Sequence, residues 1–290
     1  MPGLRVVLVL AFAYLSTACA PALSSLHPAT IAPHKHVDGG AAYGISVPVA
    51  GTVRTVGTAK DNAERTENGE PLSEKDRDQI IATSLGLALN PPSFGSQYRL
   101  AYGIAPDFEV DLRYALSAWR IGGRYQMIKP GFPGDLAGSV GLGVSRYVFS
   151  FGVPSYLPKE IVDVEDFTRY DIDVPVLFGA SHEIFHMWAG PKVIASFMSA
   201  SVDVCTEYDT TDRECTERTT AAMDGRAFYL AGQGGVALGY KYVWLAFELT
   251  AAFVDVEARG KLKTGTIDED RRFHFNDVII YPVVGLIIRI

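Results

Sequence analysis

The sequence predicts an all-β fold: an antiparallel up-and-down transmembrane β-barrel of about ten strands, with eight or twelve as alternatives. Three observations carry this reading. An export-type apolar stretch opens the chain, a period-two alternation persists across successive hairpins, and long polar connections alternate with short ones. Composition agrees with an ordered chain, since 48% of the 290 residues are hydrophobic and 20% charged. The 28 Gly, 14 Tyr and 15 Phe lean towards strands and turns. Thirty-three acids against 26 bases give −7, which argues against a nucleic-acid partner, whose binding face is basic.

Residues 1–18 read as a secretory signal, with Arg5 as its positive end, an apolar run from Val6 to Leu15, and the small residues Ser16, Thr17 and Ala18. Ten apolar residues are too few to span a bilayer permanently. Leu15-Ser16-Thr17-Ala18-Cys19 resembles a bacterial lipoprotein box, which implies that Cys19 is lipidated; the alternative is an ordinary signal-peptidase cut nearby. Export implies an oxidising compartment, where Cys205 and Cys215, inside one polar loop, are expected to form a disulfide. Residues 19–40 hold several Pro and His and no apolar period, and read as an N-terminal linker; His34 and His36 read there as solvated.

The barrel is expected over 41–290. Its clearest part runs from Tyr98 to Met127, where Tyr98, Leu100, Tyr102, Ile104, Phe108, Val110, Leu112, Tyr114, Leu116, Trp119, Ile121, Gly123, Tyr125 and Met127 include no charge. The interleaved residues carry Arg99, Glu109, Asp111, Arg113, Arg120 and Arg124. That is the pattern of strands with one apolar and one polar face. A water-soluble barrel would turn the apolar face inward and a membrane barrel turns it outward. The long uninterrupted apolar set and the small residues beside bulky charges on the other face favour the second. Weaker alternation continues through 137–151, 170–181, 188–200, 226–238, 241–256 and 276–290, with a first strand at 41–50. Connections at 51–95, 152–169, 201–225 and 257–275 are long, and those at 105–107, 129–136, 182–187 and 239–240 short.

In the last strand Val278, Ile280, Val284, Leu286, Ile288 and Ile290 share one face, and Gly285, Ile288 and Ile290 take the places of the Gly and hydrophobic residues of the C-terminal signal strand of bacterial outer-membrane proteins. On that strand and the alternation, the chain resembles a small bacterial outer-membrane β-barrel protein. The resemblance implies an outer-membrane location, outer-membrane lipid and the barrel-assembly machinery as partners, and no particular activity.

His182-Glu183-Ile184-Phe185-His186 fits the H-E-x-x-H sequence, which binds zinc when a helix sets both His on one face. Gly179 before it, Gly190-Pro191 after it and strands on both sides predict a turn instead. No catalytic, metal or cofactor site is read: Ser/His/Asp sets, phosphate-cradling glycines and paired CxxC motifs are absent from the sequence.

What remains is a lumen network. Arg99, Arg113, Arg120, Arg124 and Arg289 are expected to face Glu109, Asp111, Asp171, Asp173, Glu248 and Asp277. A turn at Ser117-Ala118 sets Asp111 opposite Arg124 and Glu109 opposite Gln126; the Pro106 turn sets Arg99 opposite Arg113 and Tyr98 opposite Tyr114. Tyr98, Tyr114 and Trp119 should then form one aromatic rim. Near-balanced charge predicts a self-satisfied, closed lumen, because an ion-selective pore carries an excess of one sign. The function expected is structural, or binding and adhesion through long outer loops towards an extracellular ligand of unspecified class. The alternatives are a narrow channel or transporter, and then a zinc hydrolase.

Overall fold

Alternation decides the architecture, because a strand with one greasy and one charged face must hide the charges from lipid or the grease from water. The computed structural model describes residues 23–49, 93–115, 117–129, 135–147, 162–209, 214–264 and 267–290. Their strands are β1 (Val37–Pro48), β2 (Ser93–Ala105), β3 (Phe108–Ala115), β4 (Ala118–Ile128), β5 (Leu136–Tyr147), β6 (Val162–Ser181), β7 (Phe185–Asp209), β8 (Glu214–Tyr240), β9 (Val243–Thr264) and β10 (Ile267–Arg289). Each pairs antiparallel with its sequence neighbours, and β1 pairs with β10, Ala41 opposite Leu286, to close a ten-stranded barrel.

The sheet is inside out relative to a soluble protein. Leu100, Val110, Leu112 and Ile121 lie outside at 39–69% exposure, while Arg99, Glu109, Asp111, Arg113, Arg120 and Arg124 are all buried. Val37 at the start of β1 and Ile290 exchange main-chain hydrogen bonds of 2.9 Å, so both ends of the barrel meet at one mouth, the terminal mouth. Residues 106–107, 182–184 and 241–242 turn the chain there, while β7–β8 and β9–β10 are the tall hairpins of the opposite, distal mouth.

Tyr98 stands opposite Tyr114 and Tyr114 opposite Trp119, so the aromatic rim forms, with 4.9 Å between the Tyr114 and Trp119 ring centroids. Arg99 faces Arg113 as expected. The next register differs by two residues: Glu109 pairs with Arg124 and Asp111 with Gly122, because the turn lies between Ala115 and Ala118 and Ser117 adopts φ 68° to close it. The observed register sets Glu109, in place of Asp111, directly against the cation Arg124.

Two expected loops, 201–225 and 257–275, are strand for most of their length. Cys205 faces Arg218 and Cys215 faces Tyr208 across β7–β8. That offset of three residue steps puts the two cysteine backbones roughly 10 Å apart along the strands, beyond the ~7 Å a disulfide allows. The expected pairing is therefore not supported. Cys19 and the signal stretch lie outside the described residues.

The segment expected to be a linker is not a free tether. Its residues Leu23 to Ala32 are buried inside the barrel, and the strand that follows begins at Val37 instead of 41.

Candidate functional site

Among the described residues the lumen gathers the buried charged groups, and it is filled in two storeys. In the distal storey, side chains fill it. Arg120 on β4 reaches Asp173 on β6 with Nε at 2.6 Å and Nη2 at 3.0 Å, and Asp111 on β3 with Nη1. Arg169 on β6 donates to Asp171 (3.0 Å), to Ser196 Oγ on β7 (2.8 Å) and to Tyr229 OH on β8 (3.0 Å). Its guanidinium also lies over the Tyr147 ring, 5.1 Å from the centroid, and Tyr147 OH donates to Asp171 at 3.2 Å. Paired cations and anions satisfy one another here, which is what makes buried charge tolerable.

In the terminal storey the occupant is the chain itself. Residues 23–32 carry no charge, and the wall addresses their main chain. Carbonyl oxygens accept from cations and an amide: Leu23 O from Lys192 Nζ (2.9 Å), Ser24 O from Arg113, Pro28 O from Arg124 (2.8 Å), Ala29 O from Gln126 (3.2 Å), and Thr30 O from Arg124 and Arg289 (3.5 Å each). Amide N–H groups donate to acceptors on the wall: Ser25 to Glu248 (2.9 Å), Ile31 to Gln126 Oε1 (2.8 Å) and Ala32 to Glu109 (2.6 Å). Buried main-chain groups outside a sheet need such partners, because an unpaired one costs the loss of its hydration.

Glu109, fully buried, ties the storeys to the wall. It accepts from Arg124 Nε at 2.7 Å and from Arg99 at 3.5 Å, as well as from Ala32. His27 of the inner segment stands 3.8 Å from the same carboxylate. Burial, and then Arg99, Arg124, Arg120 and Arg113, hold the His27 imidazole well below its usual pKa, so it sits in the lumen neutral. Gly103 on β2 makes the close approach possible: a Cβ there would stand 2.1 Å from Pro33 O and 2.6 Å from Ala32 O.

The expected lumen residues Arg99, Glu109, Asp111, Arg113, Arg120, Arg124 and Glu248 are thus all buried and face inward. Three charged partners were absent from the sequence-derived set: Arg169, Lys192 and Asp38. Arg169 shares the parity of Asp171 and Asp173 one step beyond the expected strand start, and Lys192 sits between the outward residues Pro191 and Val193. Asp38, within the expected linker, takes Arg289 in a two-pronged pair (Nε at 2.9 and 3.0 Å, Nη2 at 2.7 Å) that fastens β1 to β10.

The H-E-x-x-H sequence is a strand-to-strand turn, closed by His182 N–H donating to Phe185 O at 2.7 Å. His182 is exposed and stacks on Phe185 (5.4 Å), whereas His186 points inward against Trp244 (5.1 Å). His182 thus lies in the turn after β6 and His186 on β7, so the sequence does not form the helix that the zinc reading required. His182, Glu183, His186, Tyr240, Lys241, Trp244 and Arg289 line an open cavity of about 380 Å³ at the terminal mouth.

No protein-family profile and no curated protein matches the chain. Among solved structures, the RagAB peptide transporter is similar at 10% identity with a TM-score of 0.34, over 89% of this chain and 41% of that one. Ail, the attachment invasion locus protein of Yersinia pestis, is similar at 10% identity with a TM-score of 0.28, over 88% of this chain and 97% of that one. The chain spans less than half the length of the RagAB chain.

Proposed function

We propose that this protein is a bacterial outer-membrane barrel with a closed lumen, whose working surface is the pair of tall hairpins β7–β8 and β9–β10, in a structural or adhesive role. The observation that carries the reading is the two-storey filling of the lumen, which leaves binding at the distal mouth as the use of the fold. The outward face fits a bilayer. On β9 it runs Val243, Leu245, Phe247, Leu249, Ala251, Phe253, then turns to Asp255, Glu257 and Arg259. The ~10 residue steps from Val243 to Phe253, at about 3.3 Å each on a strand tilted by roughly 40°, give an apolar belt of about 25 Å, the height of an outer-membrane belt. The hairpins continue well past it. The terminal mouth then faces the periplasm, lipid solvates the belt, and the closing strand β10 is the element offered to the barrel-assembly machinery.

The test is planar-bilayer recording together with surface proteolysis of intact cells. The reading expects no conductance steps from the wild-type protein and cleavage within the β7–β8 and β9–β10 hairpins. Regular single-channel steps would favour the transporter alternative, and resistance of both hairpins in cells would remove the adhesive role.

A further inference from the structure

The wall of the terminal storey reads a peptide by its main chain. Five carbonyls, those of Leu23, Ser24, Pro28, Ala29 and Thr30, and three amides, those of Ser25, Ile31 and Ala32, are each met by a wall group of the right polarity. The segment's side chains are read far less: among them the Ser25 and Thr30 hydroxyls hydrogen-bond to polar wall groups, while the His27 ring stands 3.8 Å from Glu109 with no hydrogen bond at Nδ1. Leu26, Ala29, Ile31 and Ala32 simply fill space. Contacts of this kind belong to recognition of a peptide through its backbone, where main-chain hydrogen bonds give affinity and the space around the side chains limits their size. A wall so equipped also suffers when vacated, because Lys192, Arg113 and Glu248 would lose partners that only water or another peptide can replace.

We infer that the terminal storey is a binding site for an uncharged peptide of small and aliphatic residues read through its main chain, and that residues 23–32, bent at Leu26 (φ 44°) and at residues 29–30, are its resident ligand. The inference deepens the closed-barrel reading: the lumen is closed because its own peptide occupies a peptide site. A free peptide of the same chemistry takes that place once the resident segment is unseated. Neutral peptides are favoured because the wall's cations and carboxylates already pair with one another and with main-chain groups.

The experiment uses the full chain in detergent micelles and unseats the segment through its own side chains, leaving the wall intact. Leu26→Arg/Ala29→Arg sets a guanidinium beside Arg99 and Arg113, which line the space around Leu26. Ala29→Trp/Ala32→Trp does the same by bulk. Heat-modifiable gel mobility shows that each variant is a folded barrel. The probe is a synthetic peptide of residues 23–33 with blocked ends and a neutral fluorophore, with a second version N-methylated at Ser25, Ile31 and Ala32. Saturable binding to the unseated variants at least tenfold tighter than to the wild-type chain is expected, with at least tenfold loss on N-methylation. Folded, unseated variants that bind no better than wild type would overturn the inference, as would equal binding of the N-methylated probe. Failure of the closed-barrel reading shows separately, as conductance of the wild-type chain before any segment is unseated.

Discussion

Arg120 is the place where the lumen's electrostatics can be put to a number. Its guanidinium bridges Asp111 and Asp173, and both carboxylates are almost fully buried. Replacing Arg120 by Leu leaves Asp173 with Lys192 at 4.0 Å as its nearest remaining cation in an ion pair, and leaves Asp111, whose Oδ2 already lacks a hydrogen-bond partner, with none at all. Removing one side of a buried ion pair costs about 3–5 kcal/mol, because the charge left behind keeps its desolvation penalty and loses its compensation. At a denaturant dependence of roughly 2 kcal/mol per molar urea, that lowers the unfolding midpoint by about 1.5–2.5 M. The assay is urea unfolding of the vesicle-inserted protein followed by tryptophan fluorescence. Arg120→Leu/Asp111→Asn/Asp173→Asn should recover more than half of the loss, since replacing a whole buried ionic set is often near neutral. A midpoint for Arg120→Leu within about 0.3 M of wild type would refute the reasoning, as would a triple variant no better than the single one; either result means a hydrated lumen.

Three further outcomes follow from the same wall. Gly143→Ala would put a Cβ 2.2 Å from Arg120 Nη2 and force the pinned guanidinium off Asp173, costing about 1–3 kcal/mol in the same unfolding assay, whereas Gly232→Ala, with nothing within 4 Å, should stay within about 0.5 kcal/mol of wild type. Seating of the inner segment should weaken in acid: the seated His27 ring is neutral and the released ring takes up a proton, so release gains up to about tenfold per pH unit as pH falls below roughly 6.5 and is insensitive to His27 above it. Protease cleavage of the segment between pH 5 and 8 measures this, and His27→Gln should flatten the profile. Asp38→Asn should cost about 1–3 kcal/mol by weakening the charge-assisted Arg289 clasp between β1 and β10, and Arg289→Lys should not replace it, because an ammonium cannot make the two-pronged contact.

What could be read in advance was what lipid imposes. A belt facing hydrocarbon must be apolar without interruption, so Tyr98 to Met127 alternates cleanly and the inward charges follow from parity. Beyond the belt the constraint lapses. Asp255, Glu257, Arg259, Arg272 and His274 lie on outward faces that meet polar surroundings, so β8 to β10 lose their alternation and read as loops. The β3–β4 register was missed because a serine at positive φ closes the turn, and serine does not announce that conformation as glycine would. Lys192 was hidden by Gly190-Pro191, which blurred the start of β7.

The inner segment was illegible for a deeper reason. Ser24, Ser25, Pro28 and Ala29 have no period to detect, and the partners that hold them address carbonyls and amides, which every residue supplies. The trace it left lay in the wall: Lys192, Arg124, Gln126 and Glu248 point inward and meet the segment's main chain. Gly103, facing Pro33 O, is another such trace.

The chain's three tryptophans test the central claim without foreign labels. Trp119 lies outside at 46% exposure, while Trp188 and Trp244 lie inside at 3% and 5%. Single-tryptophan proteins, with the other two changed to Phe, would be inserted into vesicles of lipid brominated near the head of the acyl chain. The account predicts strong quenching of Trp119 and little of Trp188 or Trp244. Quenching of Trp188 with Trp119 left bright would mean that the sheet faces the other way.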